Sequence, residues 1–293
     1  MGRTVLITGC SDGGLGAALA KAFHENGDRV FATARDPRKM ASLTALGIET
    51  LQLDVLSEES IKACVEKVSS MTSGSLDILI NNAGAGYTMP MLDASIPEIQ
   101  KQFELNVWAV LRTSQLFFPL IRNSNSKMLV NNTSVNSVVG LPWQGPYNAS
   151  KAAIASFTET LRLELQPFGI KVIDLKTGAV RSKFFENTSA LTSHTSVPND
   201  SVYAAAKDKI EEYMAKGPEG HFVEADAWAK RVLRDLSKHS PPHQVWRGGG
   251  ASLLWFVATF VPIGWMDSKI KKLVGLDVVE RRIKQEEQTR KST

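Results

Sequence analysis

Cysteine is scarce: Cys10 and Cys64 are the two thiols in 293 residues, and they lie far apart in the chain. That excludes a disulfide framework and makes a reducing compartment the expected setting. Long apolar runs are missing too. The most apolar stretch, 251–266, has 16 residues and is interrupted by Pro262 and Gly264, whereas a spanning helix needs about 20 apolar residues. Met-Gly-Arg-Thr leads directly into an apolar strand pattern, which leaves no room for a signal peptide, so a cytoplasmic protein is expected. Positive charge is not spread over the chain. The formal net charge is +4, and residues 268–293 supply all of it with eight basic and four acidic side chains. The remainder is balanced, so no broad basic surface exists and nucleic acid is not an expected partner. No metal site is expected.

What is present is a rhythm. Seven apolar runs of strand length, at 5–8, 29–34, 49–55, 76–81, 127–134, 171–175 and 243–246, alternate with helical periodicity. The clearest helical segments are 16–26, 57–71, 98–122, 147–166 and 224–237. The strand runs are mostly continuous, as in strands buried on both faces. Repeated strand–helix units imply a parallel sheet with helices on both faces. Right-handed crossovers make it doubly wound, with the ligand crevice at the strands' C-terminal ends. The expected fold is therefore α/β, one domain over 1–250 with an extension at 251–293. Residues 181–223 break the rhythm, with no strand pattern and one short helical piece near 203–215. Lying next to the crevice, they are expected to form a substrate lid.

The first strand runs into Thr8-Gly9-Cys10-Ser11-Asp12-Gly13-Gly14-Leu15-Gly16 and then a helix. Glycines at Gly9, Gly14 and Gly16 let a pyrophosphate approach the backbone, and the helix N-terminus offers it unpaired N–H groups. A plain glycine turn is the bland alternative, but the strand–loop–helix context favours a dinucleotide. The second strand ends Phe31-Ala32-Thr33-Ala34-Arg35, with no acid before Arg35. An acid there would hold a ribose 2′-hydroxyl, whereas arginine accommodates a 2′-phosphate, so NADP(H) is expected. Arg35 as a solvated strand end is the alternative, and Asp36 competes one position later. Asp54, after the third strand, either meets the adenine amino group or caps the next helix.

These features, with Asn81-Asn82-Ala83-Gly84, Asn106, Ser134 and Tyr147-x-x-x-Lys151, resemble the short-chain dehydrogenase/reductases over nearly the whole chain. Within them the sequence looks like the steroid-dehydrogenase-like branch, and among its members the fungal acyl-dihydroxyacetone-phosphate reductase-like ones. Two departures stand out: the glycine loop is one residue longer than the commonest form, with Gly13-Gly14 where one glycine is usual, and Thr177-Gly178 stands where Pro-Gly is usual. The resemblance implies a single-domain Rossmann-type fold. It assigns catalysis to Asn106, Ser134, Tyr147 and Lys151. It assigns cofactor contacts to Gly9, Ser11, Gly14, Leu15, Gly16, Arg35, Asp54, Asn82, Ala83, Gly84, Tyr147, Lys151, Gly178 and Val180.

The chemistry suits those types. Hydride addition to a ketone builds negative charge on oxygen, so a proton donor must stand within about 3 Å of it. Tyrosine titrates near 10 when free, and an ammonium beside it is expected to stabilise the phenolate. Tyr147 and Lys151, four apart on a helix, are neighbours on one face. Ser134 would donate to the substrate oxygen, and in similar proteins Asn106 binds a relay water and the lysine holds the nicotinamide ribose. Leu141, Trp143, Phe184 and Phe185 are candidate walls for a hydrophobic carbonyl or alcohol substrate, with ordinary packing as the alternative. The expected activity is NADPH-dependent reduction of a ketone or aldehyde, or its reverse. An alcohol-oxidising or isomerising enzyme on the same scaffold and a non-catalytic NADP(H) sensor are the alternatives. Self-association through helices 98–122 and 147–166 is known in similar proteins. The apolar-then-basic extension is either an interfacial anchor on anionic lipid, or a cover over the pocket or a partner subunit with a merely solvated tail.

Overall fold

The computed structural model describes residues 2–184, 196–217, 220 and 222–292. Seven strands form one wholly parallel sheet: β1 Thr4–Ile7, β2 Arg29–Ala34, β3 Glu49–Gln52, β4 Ile78–Asn81, β5 Met128–Asn132, β6 Lys171–Thr177 and, last in chain order, Gln244–Arg247. The order across the sheet runs third, second, first, fourth, fifth, sixth and last strand. The chain therefore winds outward from β1 to one edge, returns, and winds outward from β4 to the other. The crevice lies where the direction reverses, beyond the C-terminal ends of β1 and β4.

Both faces are covered. On one, α1 (Leu15–Glu25) and a later helix, Ala225–Leu236, bury Leu19, Phe23, Trp228 and Val232 against Val5, Ile7 and Val30. On the other, α3 (Glu58–Thr72) follows the short α2 (Ala41–Ala45), and α5 (Ala109–Arg122) packs beside it, burying Ile61, Val68, Phe117 and Ile121 against Leu6, Leu79 and Leu129. Each fully buried side chain of this kind contributes about 1.5–3 kcal/mol. Cys10 belongs to the first core and Cys64 to the second, so the sheet separates them. Both are free and buried, and burial pushes their thiols up to about 12 and about 11.

Three expectations change in detail. β3 ends at Gln52, because the Asp54 N–H donates to the Ser60 hydroxyl at 2.9 Å instead of extending the ladder. The single helix expected at 98–122 is α4 (Ile96–Phe103), a π turn (Glu104–Trp108) and then α5, the Ala109 N–H reaching back five residues to the Glu104 carbonyl. Such wide turns concentrate at functional sites, and this one holds Asn106. The stretch 181–223, read as strandless, has paired ends: β7 (Val180–Arg181) and β8 (Val223–Glu224) form a two-residue parallel ladder, with Arg181 ion-paired to Glu224 at 2.8 Å. The expected lid is thus pinched shut at its base. Between these ends runs α7 (Lys207–Lys216); residues 185–195, 218, 219 and 221 lie outside the described part.

The remaining elements are α6 (Gly145–Glu164), α8 (Ala225–Leu236), β9 (Gln244–Arg247), α9 (Ala251–Phe260), α10 (Asp267–Leu273) and α11 (Leu276–Ser292). Gly275, at φ +71°, separates the last two. A third, smaller core joins the region before α8 to the tail: Trp143, Val197, Ala206, Ile210 and Tyr213 pack with Val274 and Val279. The tail is therefore not merely solvated; Arg282 also pairs with Asp208 of α7. Among the described residues no helix is long and apolar enough to cross a membrane.

Candidate active site

The glycine loop begins where β1 stops. The Thr8 hydroxyl accepts the backbone N–H groups of Asn82 and Ala83, each at 2.9 Å, which locks the first loop to the end of β4. Gly9 (φ +74°) and Gly13 (φ +80°) occupy left-handed backbone, open to glycine without steric cost. A Cβ on Gly9 would stand 2.8 Å from the Ala83 Cα, and one on Gly16 2.5 Å from the Gly9 carbonyl oxygen. The extra glycine has a use as well: the Gly13 carbonyl accepts the Lys183 N–H at 3.2 Å, so the loop touches the segment that follows β7. Gly14 is the extended N-cap of α1, and among the described residues no side chain caps that helix. The uncapped first turn, Leu15 and Gly16 included, and the half-buried Ser11 below it fit a pyrophosphate.

Beyond β2, Arg35 is exposed. Asp36, the competing acid, is turned away: it caps the next turn by accepting the Arg38 N–H at 3.0 Å and pairs with the Arg38 guanidinium at 2.9 Å. That pairing holds its carboxyl below the usual range. Asp54 caps its own loop, one carboxylate oxygen accepting the Leu56 N–H at 3.0 Å, while Ser57 caps α3.

Hydrogen bonds then cross the strand ends. The Asn82 amide donates to the Thr8 and Gly9 carbonyls at 2.9 and 3.2 Å. Asn132 donates to the Asn82 Oδ1 at 2.9 Å and accepts from the Thr177 hydroxyl at 2.6 Å. A second layer beneath joins Asn81, Asn131, Ser114 and Thr158. The inner layer is buried and the outer one partly so, and together they fix one arrangement of β1, β4, β5 and β6. Thr177, standing where the family usually has proline, is a member of the outer layer.

On that platform stand the reactive types. Lys151 is buried, its Nζ donating to the Asn132 carbonyl at 2.9 Å and lying 5.8 Å from the centre of the Tyr147 ring. Burial pushes the ammonium down to about 8, with the Asp174 charge working the other way. Tyr147 lies in the first turn of α6, after Pro146. Its hydroxyl is pushed up to about 12 by burial, with the Ser134 hydroxyl opposing through a hydrogen bond. Sequence reasoning expected the lysine to pull this phenol down. In the structure its ammonium is aimed at Asn132, and withdrawal from water raises the phenol. Ser134 caps a short turn through the Asn136 N–H at 3.1 Å and reaches the Thr177 carbonyl at 3.4 Å. Asn106 donates to the Ala85 carbonyl at 2.8 Å and the Ser150 hydroxyl at 3.1 Å and accepts the Ala85 N–H at 3.0 Å. It therefore ties the loop after Gly84 to α6 directly beside Lys151. A Cβ on Gly84 would stand 3.1 Å from the Asn106 Oδ1 and 3.6 Å from Lys151 Nζ.

Other assignments fare differently. Gly178 is required by packing: a Cβ there would stand 2.5 Å from the Gly249 carbonyl oxygen. Val180 is buried at the start of β7. Trp143 takes the packing alternative; it belongs to the third core, edge-on to Tyr203, with its indole N–H donating to the Val274 carbonyl at 3.0 Å. Leu141 is half-buried, its carbonyl accepting from the Asn148 amide at 2.8 Å. Phe184 does meet the site, its ring edge-on to Tyr147 at 5.5 Å between centres; Phe185 lies outside the described residues. Sequence reasoning missed Thr8, Asn132 and Asp174 as supports. The signal was a polar residue closing or interrupting an otherwise apolar strand.

Fold and crevice together are those of a dinucleotide-dependent oxidoreductase. Residues 3–190 match the family described as short chain dehydrogenase. A short-chain dehydrogenase/reductase of Pestalotiopsis microspora is 50% identical over 283 residues, covering 96% of this chain and 97% of that protein. An NADPH-dependent 1-acyldihydroxyacetone phosphate reductase of Schizosaccharomyces pombe is 37% identical over 248 residues, covering 84% and 82%. Among solved structures, a short-chain dehydrogenase from Streptomyces avermitilis superposes with a TM-score of 0.73 at 27% identity, covering 96% of this chain and 98% of that one. The chain belongs to the short-chain dehydrogenase/reductase family, nicotinamide-dependent oxidoreductases.

Proposed function

We propose that the protein is an NADPH-dependent reductase that converts a ketone or aldehyde on a hydrophobic substrate to an alcohol. The observation that carries this is the convergence of Ser134, Tyr147 and Lys151 at the end of β5, beside a glycine loop that opens onto an uncapped helix. NADPH over NADH is supported by Arg35, exposed at the end of β2 while Asp36 is engaged in its own turn. It is also supported by the NADPH-dependent relative.

The chain's residues fit the cofactor: α1's first turn would hold the pyrophosphate, Arg35 the 2′-phosphate, Asp54 the adenine amino group, and Lys151 the nicotinamide ribose. Bound there, the reduced nicotinamide supplies a hydride. Ser134 would hold the carbonyl oxygen by its hydroxyl, and Tyr147 would pass its phenolic proton to that oxygen as negative charge grows. The result is C–H and O–H in place of the C=O π bond. A phenol pushed up to about 12 is protonated at neutral pH, the form that reduction needs and oxidation does not. Lys151, down at about 8, is mostly ammonium at pH 7 and would stabilise the phenolate left behind. Asn106, both amide hydrogens engaged, keeps one oxygen lone pair for a water that re-protonates the site. Phe184 would wall the substrate.

Tyr147→Phe tests this. It should lower turnover by about 10²–10⁴-fold, the range for a general acid, with NADPH affinity by fluorescence within a factor of two or so of wild type, on the same principle that only the proton is lost. Retention of more than half the rate would remove Tyr147 from the chemistry.

A further inference from the structure

The extension that follows β9 is largely exposed along α9. Of α9 only Ala251 is buried, against Gly178. Leu254 and Val257 are half-buried, while Leu253, Trp255, Phe256 and Phe260 are exposed, Phe260 at 63%; in the turn beyond it Ile263 is 106% and Trp265 78% exposed. Phe260 packs with Trp255 and Phe256, at 6.0 and 5.3 Å between ring centres, so the aromatic residues cover one another and little else. α10 follows, with Lys269 and Lys272 exposed and without an ion pair among the described residues; Lys271 pairs with Glu280, and Asp267 is the acid on the same short helix. Val274 and Val279 then anchor the chain to the third core. The result is an apolar helix and turn with large apolar side chains exposed, and with lysines that have no ion pair among the described residues at their far end.

We propose that 253–273 docks on an anionic lipid surface. Apolar groups of this density, with tryptophans and adjacent lysines, suit the boundary between headgroups and acyl chains. Free lysines also tell against a second copy as occupant, since like segments would bring the same positive charges together, whereas anionic headgroups attract them. The place in the fold gives docking a consequence. α9 packs on β9 and on the turn Val135–Ser137 that follows Ser134, so docking sets the substrate end of the crevice at the lipid surface. Resting on the reductase assignment above, the substrate class becomes a lipid-dissolved ketone.

Flotation of the full chain with phosphatidylcholine vesicles, with and without phosphatidylserine, tests the proposal. Wild type should float with the serine lipid and be released by salt. Ile263→Glu with Trp265→Ser should lower binding at least tenfold, and Lys269→Glu with Lys272→Glu should abolish the preference for anionic vesicles. Both variants should keep wild-type turnover of a water-soluble ketone, and docking should raise wild-type turnover of a vesicle-dissolved ketone above that of the first variant. Wild type that ignores anionic vesicles, variants that float as well as wild type, or a wild-type dimer that the first variant breaks without any vesicle binding would each overturn docking. Docking without turnover of any ketone would uphold the lipid surface and sink the reductase assignment instead.

Discussion

The nucleotide end of the sheet and the C-terminal third of the chain are built on different rules. At the strand ends Thr8, Asn82, Asn132 and Thr177 are joined side chain to backbone and to each other across four strands, and side-chain-free glycines let backbones touch at 2.5–2.9 Å of a would-be Cβ. In the last third, a small core of Ile210, Tyr213, Val274 and Val279 takes in Trp143 from the loop before α6, and α9 leaves Leu253, Trp255, Phe256 and Phe260 exposed. The first region is over-determined, the second held at a few points. The two meet in one loop: Trp143, four residues before Tyr147, sits in left-handed backbone at φ +67° with its indole on Val274. That conformation is uncommon for a bulky side chain and persists only where surroundings impose it.

Breaking the rigid end should have the largest effect. Lys151→Met removes the proposed ribose and phenolate partner, so cofactor affinity and turnover should both fall, turnover by about 10²-fold or more. The variant also carries a pH signature. Burial holds the folded Lys151 down at about 8, so between about pH 8 and the ordinary lysine range the unfolded chain keeps a proton that the folded chain has released. This group therefore makes the fold more stable as pH rises through that window. Denaturant titrations across it should show the rise in wild type and not in Lys151→Met. In the same window wild-type NADPH affinity should weaken as the ammonium is lost. Unchanged affinity and rate in the variant would undo the pairing of Lys151 with the site.

The loosely held region should respond more mildly and in stability first. Trp143→Phe leaves the buried Val274 carbonyl without its donor, a loss of about 1–3 kcal/mol that would appear as a lower melting temperature. NADPH affinity should be unaffected, because the strand-end hydrogen bonds do not pass through Trp143. A variant as stable as wild type would show that the tail does not brace the catalytic loop.

Most of the rigid end was legible in the sequence because its requirements are local. A continuous apolar run, a glycine cluster and a helix in that order specify both the strand and the loop, and Tyr147 and Lys151 meet through helical spacing alone. What escaped were contacts between segments distant in the chain. Asp36 reads as a rival to Arg35 until Arg38 is seen to hold it. Asn132 reads as a strand residue until its carbonyl meets Lys151, and Trp143 reads as a pocket wall until Val274, 131 residues later, is found on its indole. The π turn at Asn106 is likewise invisible, since one residue of extra width does not disturb an amphipathic pattern. The two-residue ladder between β7 and β8 is too short to leave a periodicity.

The most direct test of the central claim is wild-type turnover of a panel of hydrophobic ketones and aldehydes, followed by cofactor absorbance with NADPH and with NADH, beside Arg35→Asp. If the site works as proposed, NADPH is consumed with formation of the alcohol, and NADH is at least about tenfold poorer in kcat/KM, equivalent to about 1.4 kcal/mol. Arg35→Asp, which exchanges a phosphate partner for a repelling charge, should narrow or reverse that ratio. Wild-type preference for NADH, or no oxidation of either cofactor by any carbonyl in the panel, would contradict it.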